Sequence, residues 1–367
     1  MRLTTVLLSS LLLLGCKSGD FREDCGGLPT IQINEKSTPI KLPILHNFST
    51  LPIEGNVATS LEVALENALQ KSEILQYDIV VKTPFGMWTS QNTEDGVEKF
   101  YWASVGKMFT AIAVYQLVDE ERLKLDDRVS IWFPDFPHAE RITIEMLLQH
   151  RTGIPSYNEF PYFSSFVPEP KPDEILNFMR EQKFYYCPGS GWNYSNTNYV
   201  MLGEIISRVE GTSYQNSINT RFASEQTSFL SLDYDSYPSD VAVIAPIGEP
   251  QRLLKPSGPY AAGNIVASSL AMAEALESYL QSQMVDEARL KSMVDNVYQM
   301  YDSPMYYGDG IMTYEVGDDH WIGHSGGTPG ANALLVYSKN SQAIVAIAFT
   351  GKGSAESIAN SIFKVLE

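Results

Sequence analysis

The residue pair best suited to chemistry is Ser104 and Lys107, which are three positions apart. Residues at this spacing lie on one face of a helix, and the segment after Lys107 is apolar on nearly every face, which predicts a buried helix. Burial lowers the pKa of a lysine because it disfavours the charged form. An uncharged amine beside a hydroxyl can activate that hydroxyl as a nucleophile. The alternative is a core helix with one serine and a lysine whose head group extends to solvent.

A second polar group is the pair Tyr194 and Asn196, in a turn-rich run just before a predicted helix. Alternate residues of an extended segment point the same way. A tyrosine hydroxyl can relay a proton, and an asparagine amide can hold an amine or a carbonyl group. The alternative is a polar loop that caps the following helix.

The third group is the glycine-rich run His324-Ser325-Gly326-Gly327, which follows a predicted strand. Adjacent glycines let the main chain of a ligand approach closely. The main-chain N–H of Gly327 and that of Ser104 are candidates for an oxyanion hole. The alternative is a glycine-rich hairpin turn with a surface histidine.

The helices and strands that position these groups are predicted from the spacing of apolar residues, which differs between helices and strands. A capping-box sequence at 59–62 precedes a helical stripe to residue 69, and strands are predicted at 76–82, 87–88 and 99–102. Residues 119–304 have a helical pattern with long loops, residues 310–349 are rich in strand signals, and residues 355–366 form a last helix. The predicted fold is α/β (α+β): an antiparallel sheet flanked by N- and C-terminal helices, with an all-helical insert at about 119–304.

The N-terminus predicts export. Residues 1–15 have a short basic start and an apolar run that is typical of a signal peptide. The run ends in Leu13-Leu14-Gly15-Cys16, which resembles a bacterial lipobox and implies lipid on Cys16; the alternative is an ordinary secretory signal. Lys17 is typical of lipoproteins of an outer membrane, which gives a lipid anchor facing the periplasm in a two-membrane bacterium. Residues 16–55 are interpreted as a tether and residues 56–367 as the folded domain.

Charge and cysteine content limit the remaining possibilities. The formal net charge is −18, and there is no run of basic residues. An acidic surface repels nucleic acid, so nucleic-acid binding is excluded, and the only membrane contact expected is the lipid on Cys16. In an exported chain Cys25 and Cys187 are the only candidates for a disulfide, and two independent thiols are the alternative. No cluster at ligand spacing predicts a metal.

Taken together, the three groups resemble the serine β-lactamase and penicillin-binding-protein-like superfamily, most closely its class C-type branch. The motif residues are Ser104-x-x-Lys107, Tyr194-Ser195-Asn196 and His324-Ser325-Gly326. Similar flanking stretches are Leu125-Asp126-Asp127, Leu147-Leu148-x-His150-x-x-Gly153-Ile154-Pro155, Ala261-Ala262-Gly263-Asn264-Ile265 and Tyr307-Gly308-x-Gly310. The resemblance covers about residues 56–367.

The resemblance implies roles for single residues. Ser104 is the acylated nucleophile, and Lys107 and Tyr194 share the acid and base work in an order that the sequence leaves open. Asn196 positions Lys107 and the substrate amide or ester, while the N–H groups of Ser104 and Gly327 hold the oxyanion. His324, Ser325 and Gly326 border the substrate. His150 is expected to be structural, and no cofactor is implied.

His324 is the main departure from the family pattern, because many members have lysine there to attract a substrate carboxylate. A histidine near its usual pKa of about 6.5 is mostly neutral at neutral pH. Weaker capture of β-lactam or D-alanine carboxylates is therefore expected. The leading hypothesis is a cell-envelope acyl-serine hydrolase that cleaves a peptide, amide or ester bond of a small or peptidoglycan-derived substrate. The alternatives are a class C-like β-lactamase and a non-catalytic peptidoglycan- or partner-binding lipoprotein; the oligomeric state is left open.

Overall fold

The computed structural model describes residues 25–31, 33–161, 170–224, 227–229, 239–244 and 259–367. The predicted signal peptide, the lipobox-like run and Cys16 lie outside these ranges. Within them, no helix combines the length and the apolar character that crossing a bilayer requires.

One large antiparallel sheet organises the molecule. In space its strands follow the order β1-β7-β8-β9-β10-β11-β12-β2-β3. Their bounds are β1 Glu35–Lys36, β2 Glu73–Lys82, β3 Met87–Asn92, β7 Val297–Gln299, β8 Met305–Tyr307, β9 Met312–Val316, β10 Asp319–Thr328, β11 Ala331–Ser338 and β12 Ala343–Lys352. Strands from both ends of the chain are therefore neighbours, since β12 pairs with β2.

A second sheet contains three short strands in the order β4-β6-β5. They are β4 Phe100–Tyr101, β5 Thr227–Phe229 and β6 Ile265–Ala267. The expectation that residues 119–304 are all-helical is therefore wrong, because β5, β6 and β7 lie inside this region. Runs of three residues are too short to show a two-residue period, which is why the sequence pattern missed them.

The helices cover both faces of the large sheet. They are α1 Gly55–Leu69, α2 Gly106–Asp119, α3 Ile144–Leu148, α4 Pro172–Arg180, α5 Asn196–Glu210, α6 Tyr214–Phe222, α7 Ser269–Leu280, α8 Glu287–Asp295 and α9 Ala355–Leu366. The terminal helices α1 and α9 pack together on one face. The other face is covered by the helical region, in which α2 is almost completely buried and α5 is buried over most of its first three turns. The predicted fold class, with an antiparallel sheet and flanking terminal helices, is confirmed.

The start of the folded body differs from the prediction. Helix α1 begins at Gly55, four residues before the expected capping box. The tether that we expected at 16–55 is wrong for its later part, because Ile40, Leu42, Ile44 and Phe48 are buried in the main core. The alternate apolar residues at 40, 42 and 44 stabilise the folded state because their side chains are removed from water on folding.

The N-terminal segment is also bonded covalently to the body. Cys25 and Cys187 form a disulfide, so this one of the two open alternatives is confirmed. Next to it, the Cys187 N–H donates to the Pro29 oxygen at 3.0 Å and the Ile31 N–H donates to the Ser190 oxygen at 2.9 Å. Residues 25–31 therefore fasten the loop that leads to Tyr194.

Candidate active site

Ser104 lies in a 3₁₀ turn, Ala103–Val105, that continues directly into α2. Ala103 has a φ of +46°, an unusual value for a residue with a side chain. Helix α2 runs through the main core, so its first turn is fixed on all sides. Strained backbone of this kind is found where the surrounding packing over-determines it, and it clusters at functional sites.

Lys107 lies one turn further and has no exposed surface. Its Nζ is 3.0 Å from Ser104 Oγ and 2.6 Å from the main-chain oxygen of Ala262. Burial lowers the pKa of Lys107 well below its usual value. The uncharged amine has two N–H groups and one lone pair, so it can donate to Ala262 and accept the Ser104 proton. The predicted buried Ser–Lys pair is present.

Tyr194 is brought to the same point from the loop before α5. The Lys107 Nζ is 4.9 Å from the centre of the Tyr194 ring. Burial raises the pKa of Tyr194, and a hydrogen bond with the Ser104 side chain only partly opposes this rise. Tyr194 is therefore a protonated phenol at neutral pH, close to the Ser104–Lys107 pair.

Strand β10 approaches Ser104 from the opposite side. It pairs with β9 only through residues 319–323, whereas its pairing with β11 continues to Thr328. At Gly326 there is no room for a side chain, because a Cβ there would lie 2.2 Å from the Trp102 oxygen and 3.0 Å from the Ser104 nitrogen. A glycine at this position is thus required for the strand to meet the Ser104 turn. The role of the Ser104 and Gly327 N–H groups in an oxyanion hole stays a prediction.

His324 faces the interior of the protein. The ring is 1% exposed. Its Nδ1 donates to the Ser325 oxygen at 2.5 Å, and its Nε2 accepts from the Tyr307 hydroxyl at 3.0 Å. Burial, with a smaller contribution from Lys107, lowers the pKa of His324 to about 3. The expected neutral imidazole is found, and both of its nitrogens have hydrogen-bond partners. That His324 borders the substrate stays a prediction.

Ser325 makes its contacts away from the nucleophile. Its hydroxyl is 3.7 Å from Met312 Sδ, which also accepts from the Tyr314 hydroxyl at 3.4 Å. Successive side chains of a strand point to opposite faces of the sheet, and His324 occupies the face turned toward α2. The expected place of Ser325 beside the substrate stays a prediction.

The expected contact between Asn196 and Lys107 is not formed. Asn196 Nδ2 donates to Asn158 Oδ1 at 3.0 Å, and Asn196 N–H donates to Ser156 Oγ at 2.9 Å. Asn196 Oδ1, the atom that could accept from Lys107, is buried and has no hydrogen-bond partner in the part of the chain that the structure describes. The main-chain oxygen of Ala262 takes the position of this partner.

His150 has the structural surroundings that we expected. It is fully buried, and Nδ1 accepts from the Ser195 N–H at 3.1 Å. Its ring centre is 4.3 Å from that of Tyr194 and 4.6 Å from that of Tyr307. Burial lowers the pKa of His150, and nearby Lys107 and His324 add to this effect. His150 thus supports Tyr194 through ring packing and through the main chain of the next residue.

Two contributors to the site were missed by sequence reasoning. Ala262 acts through its main-chain oxygen, and no residue type marks such a role in a sequence. The next residue, Gly263, does indicate that two chain segments lie close together, because a Cβ there would be 2.6 Å from the Ala103 carbonyl. Asn158 lies in the 3₁₀ turn Tyr157–Glu159 and orients Asn196. In the described ranges no three His, Cys, Asp or Glu side chains are grouped so that they could hold a metal ion.

The comparisons with known proteins agree with this geometry. The family described as Beta-lactamase matches residues 79–365, so the chain belongs to that family of β-lactamase-fold proteins. Its fold is similar to that of a D-stereospecific amidohydrolase from Streptomyces sp., with a TM-score of 0.75 and 25% identity over 83% of this chain and 98% of the other. A D-amino acid amidase from Ochrobactrum anthropi SV3 has a TM-score of 0.73 and 22% identity, over 83% of this chain and 99% of the other.

Among curated proteins, Penicillin-binding protein 4* of Bacillus subtilis is 26% identical over 65% of this chain and 57% of that protein. Protein flp of Staphylococcus aureus is 28% identical over 68% of this chain and 52% of its own length. The chain therefore spans little more than half the length of these relatives. The predicted superfamily is confirmed.

Proposed function

We propose that this chain is an acyl-serine hydrolase that cleaves small amide or peptide substrates. The observation that carries the proposal is the buried Lys107 amine 3.0 Å from Ser104 Oγ, with the Tyr194 ring 4.9 Å from the same amine. The names of the amidohydrolase and the amidase of similar fold support an amide bond as the target.

The two pKa directions assign the first proton transfer. The lowered pKa of Lys107 leaves its amine free to accept a proton, whereas the raised pKa of Tyr194 keeps its phenol protonated. Lys107 is therefore the base that takes the Ser104 proton as Oγ attacks the substrate carbonyl. The developing oxyanion accepts hydrogen bonds from the N–H groups of Ser104 and Gly327.

Collapse of the tetrahedral intermediate breaks the bond to the leaving group. The proton held by Lys107 returns to the leaving nitrogen through the Tyr194 hydroxyl, which donates its own proton and receives that of the lysine. The product is an ester of Ser104 and a free amine. Water then attacks this ester, Lys107 and Tyr194 accept and return its proton, and Ser104 is restored.

A class C-like β-lactamase is the less favoured alternative. Carboxylate-bearing β-lactams gain from a cation near β10, and the buried, neutral His324 supplies none. A non-catalytic binding lipoprotein is disfavoured because Ser104, Lys107 and Tyr194 are in mutual contact, which a binding role does not require.

Labelling with a fluorophosphonate probe tests the nucleophile. Wild type and Ser361→Ala, a change on the exposed side of α9, should both be labelled, whereas Ser104→Ala should not. Hydrolysis of a D-amino-acid amide should follow the same pattern. Equal labelling of Ser104→Ala and wild type contradicts the proposal.

We further propose that the chain is exported and is anchored to the cell envelope by lipid on Cys16. The lipobox-like run Leu13-Leu14-Gly15-Cys16 supports this, and so does the Cys25–Cys187 disulfide, because disulfides persist in oxidising compartments. Metabolic labelling with a palmitate analogue should mark wild type and leave Cys16→Ala unmarked.

A further inference from the structure

Three aromatic side chains and one carboxylate beside Tyr194 have no part in the proposed mechanism. Tyr301 is 63% exposed, and its ring meets that of Trp192 edge-on with the centres 5.2 Å apart. Tyr185 is 44% exposed and donates its hydroxyl hydrogen to the Glu159 carboxylate. We call Glu159, Tyr185, Trp192 and Tyr301 the aromatic rim.

The aromatic rim is continuous with the catalytic residues. Trp192 is two residues before Tyr194, and both rings pack against the Tyr307 ring, with centres 6.1 Å and 5.7 Å from it. Glu159 ends the turn whose Asn158 holds Asn196 at 3.0 Å. A group bound on the rim is therefore adjacent to a carbonyl under attack by Ser104.

The backbone at Tyr301 is strained in a way that keeps its ring outside. Tyr301 and Asp302 have φ values of +49° and +54°, and this conformation costs a residue with a side chain roughly 1–2 kcal/mol. Strained residues of this kind cluster at functional sites, and here the strained turn holds an aromatic ring on the surface.

Glu159 gives the rim a negative charge. Glu159 is exposed, and its charge contributes, after burial, to the raised pKa of Tyr301. Burial lowers the pKa of Lys107, His150 and His324, which disfavours a positive charge on these three neighbouring side chains. A carboxylate beside exposed ring faces attracts a cation, and an ammonium group gains from both.

We propose that the aromatic rim binds the protonated amino group of the substrate, so that the enzyme prefers aminoacyl amides and esters with a free amino group. This rests on the proposed function and names its substrate class. Substrates whose amino group is blocked, or replaced by a carboxylate, lose the contact with Glu159 and the ring faces.

The experiment compares D-phenylalanine p-nitroanilide with its N-acetyl derivative. Glu159→Gln should raise KM for the free amine about threefold to fivefold, as expected for an exposed ion pair, with kcat unchanged. Glu159→Lys should raise it further. Tyr301→Ala should raise KM about twofold to fivefold through loss of the ring face, whereas Tyr301→Phe, which keeps the ring, should raise it less. For the N-acetyl substrate all four variants should stay within about twofold of wild type.

Glu62→Gln, on the exposed side of α1, is the matched control and should change neither KM. Equal effects of Glu159→Gln on both substrates, or none on either, overturn the inference. So does a wild type that cleaves p-nitrophenyl acetate through Ser104 and favours the N-acetyl substrate. A wild type that cleaves neither the ester nor the amides contradicts the proposed function instead.

Discussion

The Lys107 amine lies 3.0 Å from the Ser104 hydroxyl while its side chain has no contact with solvent. An amine in this position is uncharged because burial removes the hydration of an ammonium group. The catalytic use of the pair depends on this single consequence of packing.

Replacing Lys107 by methionine should therefore abolish the base while keeping the buried volume. A positioned acid–base group contributes about 10²–10⁴ in rate, so kcat should fall by that range with little change in melting temperature. Steady-state kinetics and a thermal melt check this. Lys364→Met, at the end of α9, is the control, and a Lys107→Met enzyme with wild-type kcat would show that another group takes the serine proton.

The pH profile should have an acidic limb that belongs to Lys107. Activity requires the unprotonated amine, so kcat/KM should rise as the pH increases through the lowered pKa of Lys107. The limb should persist in His150→Asn, since burial holds that imidazole neutral. A limb that disappears in His150→Asn would assign the titration to the histidine.

His324 should make the fold less stable in acid. Its pKa is about 3 in the folded chain against 6.5 in the unfolded chain, so the unfolded state binds more protons between these values. Stability from His324 is thus complete above pH 6.5 and is lost as the pH falls toward 3, by up to about 1.4 kcal/mol per pH unit. Urea unfolding at several pH values should give a shallower acid loss for His324→Gln, and parallel curves would refute this.

Gly326→Ala should separate β10 from the nucleophile. The added Cβ would lie 2.2 Å from the Trp102 oxygen, so the strand or the Ser104 turn must shift. Loss of one oxyanion donor costs about 10²–10³ in kcat, and we expect a decrease of that size with KM less affected. Gly317→Ala has a positive φ but open space around it; it should lose stability alone. Comparable kcat values for the two variants would argue against a close contact at Gly326.

The disulfide should stabilise both the fold and the Tyr194 loop. The double variant Cys25→Ala/Cys187→Ala opens a link between residues 162 positions apart, and loss of a native disulfide typically costs about 2–5 kcal/mol. We expect that loss in denaturant unfolding and a lower kcat at temperatures where the variant is still folded. An unchanged kcat would mean that the remaining hydrogen bonds position Tyr194 without the disulfide.

The sequence predicts those parts of the site that depend on local spacing. Ser104 and Lys107 share one helical turn, so a three-residue spacing and an apolar surrounding were enough to place them together. The sheet and its terminal helices follow likewise from long runs with a clear period. Ile40, Leu42 and Ile44 also alternate in the sequence. Because prolines interrupt this segment, the pattern predicts a tether instead of a packed strand-like segment.

The remaining features depend on contacts across the chain. The main-chain oxygen that holds Lys107 comes from Ala262, and the amide of Asn196 is turned by Asn158 rather than by the lysine. His324 is buried because Tyr307 and the Ser325 carbonyl satisfy both of its nitrogens. No spacing along the chain encodes these partners, since each arises where separate segments meet.

The bond between Cys25 and Cys187 also determines where a force on the N-terminus acts. Nine residues lead from Cys16 to Cys25, and a chain of that length reaches at most about 30 Å. A lipid on Cys16 would therefore hold the loop that contains Cys187 and Tyr194 within that distance of the membrane surface. Ser104 would then reach only substrates in the layer next to the bilayer, and turnover would depend on the substrate concentration in that layer.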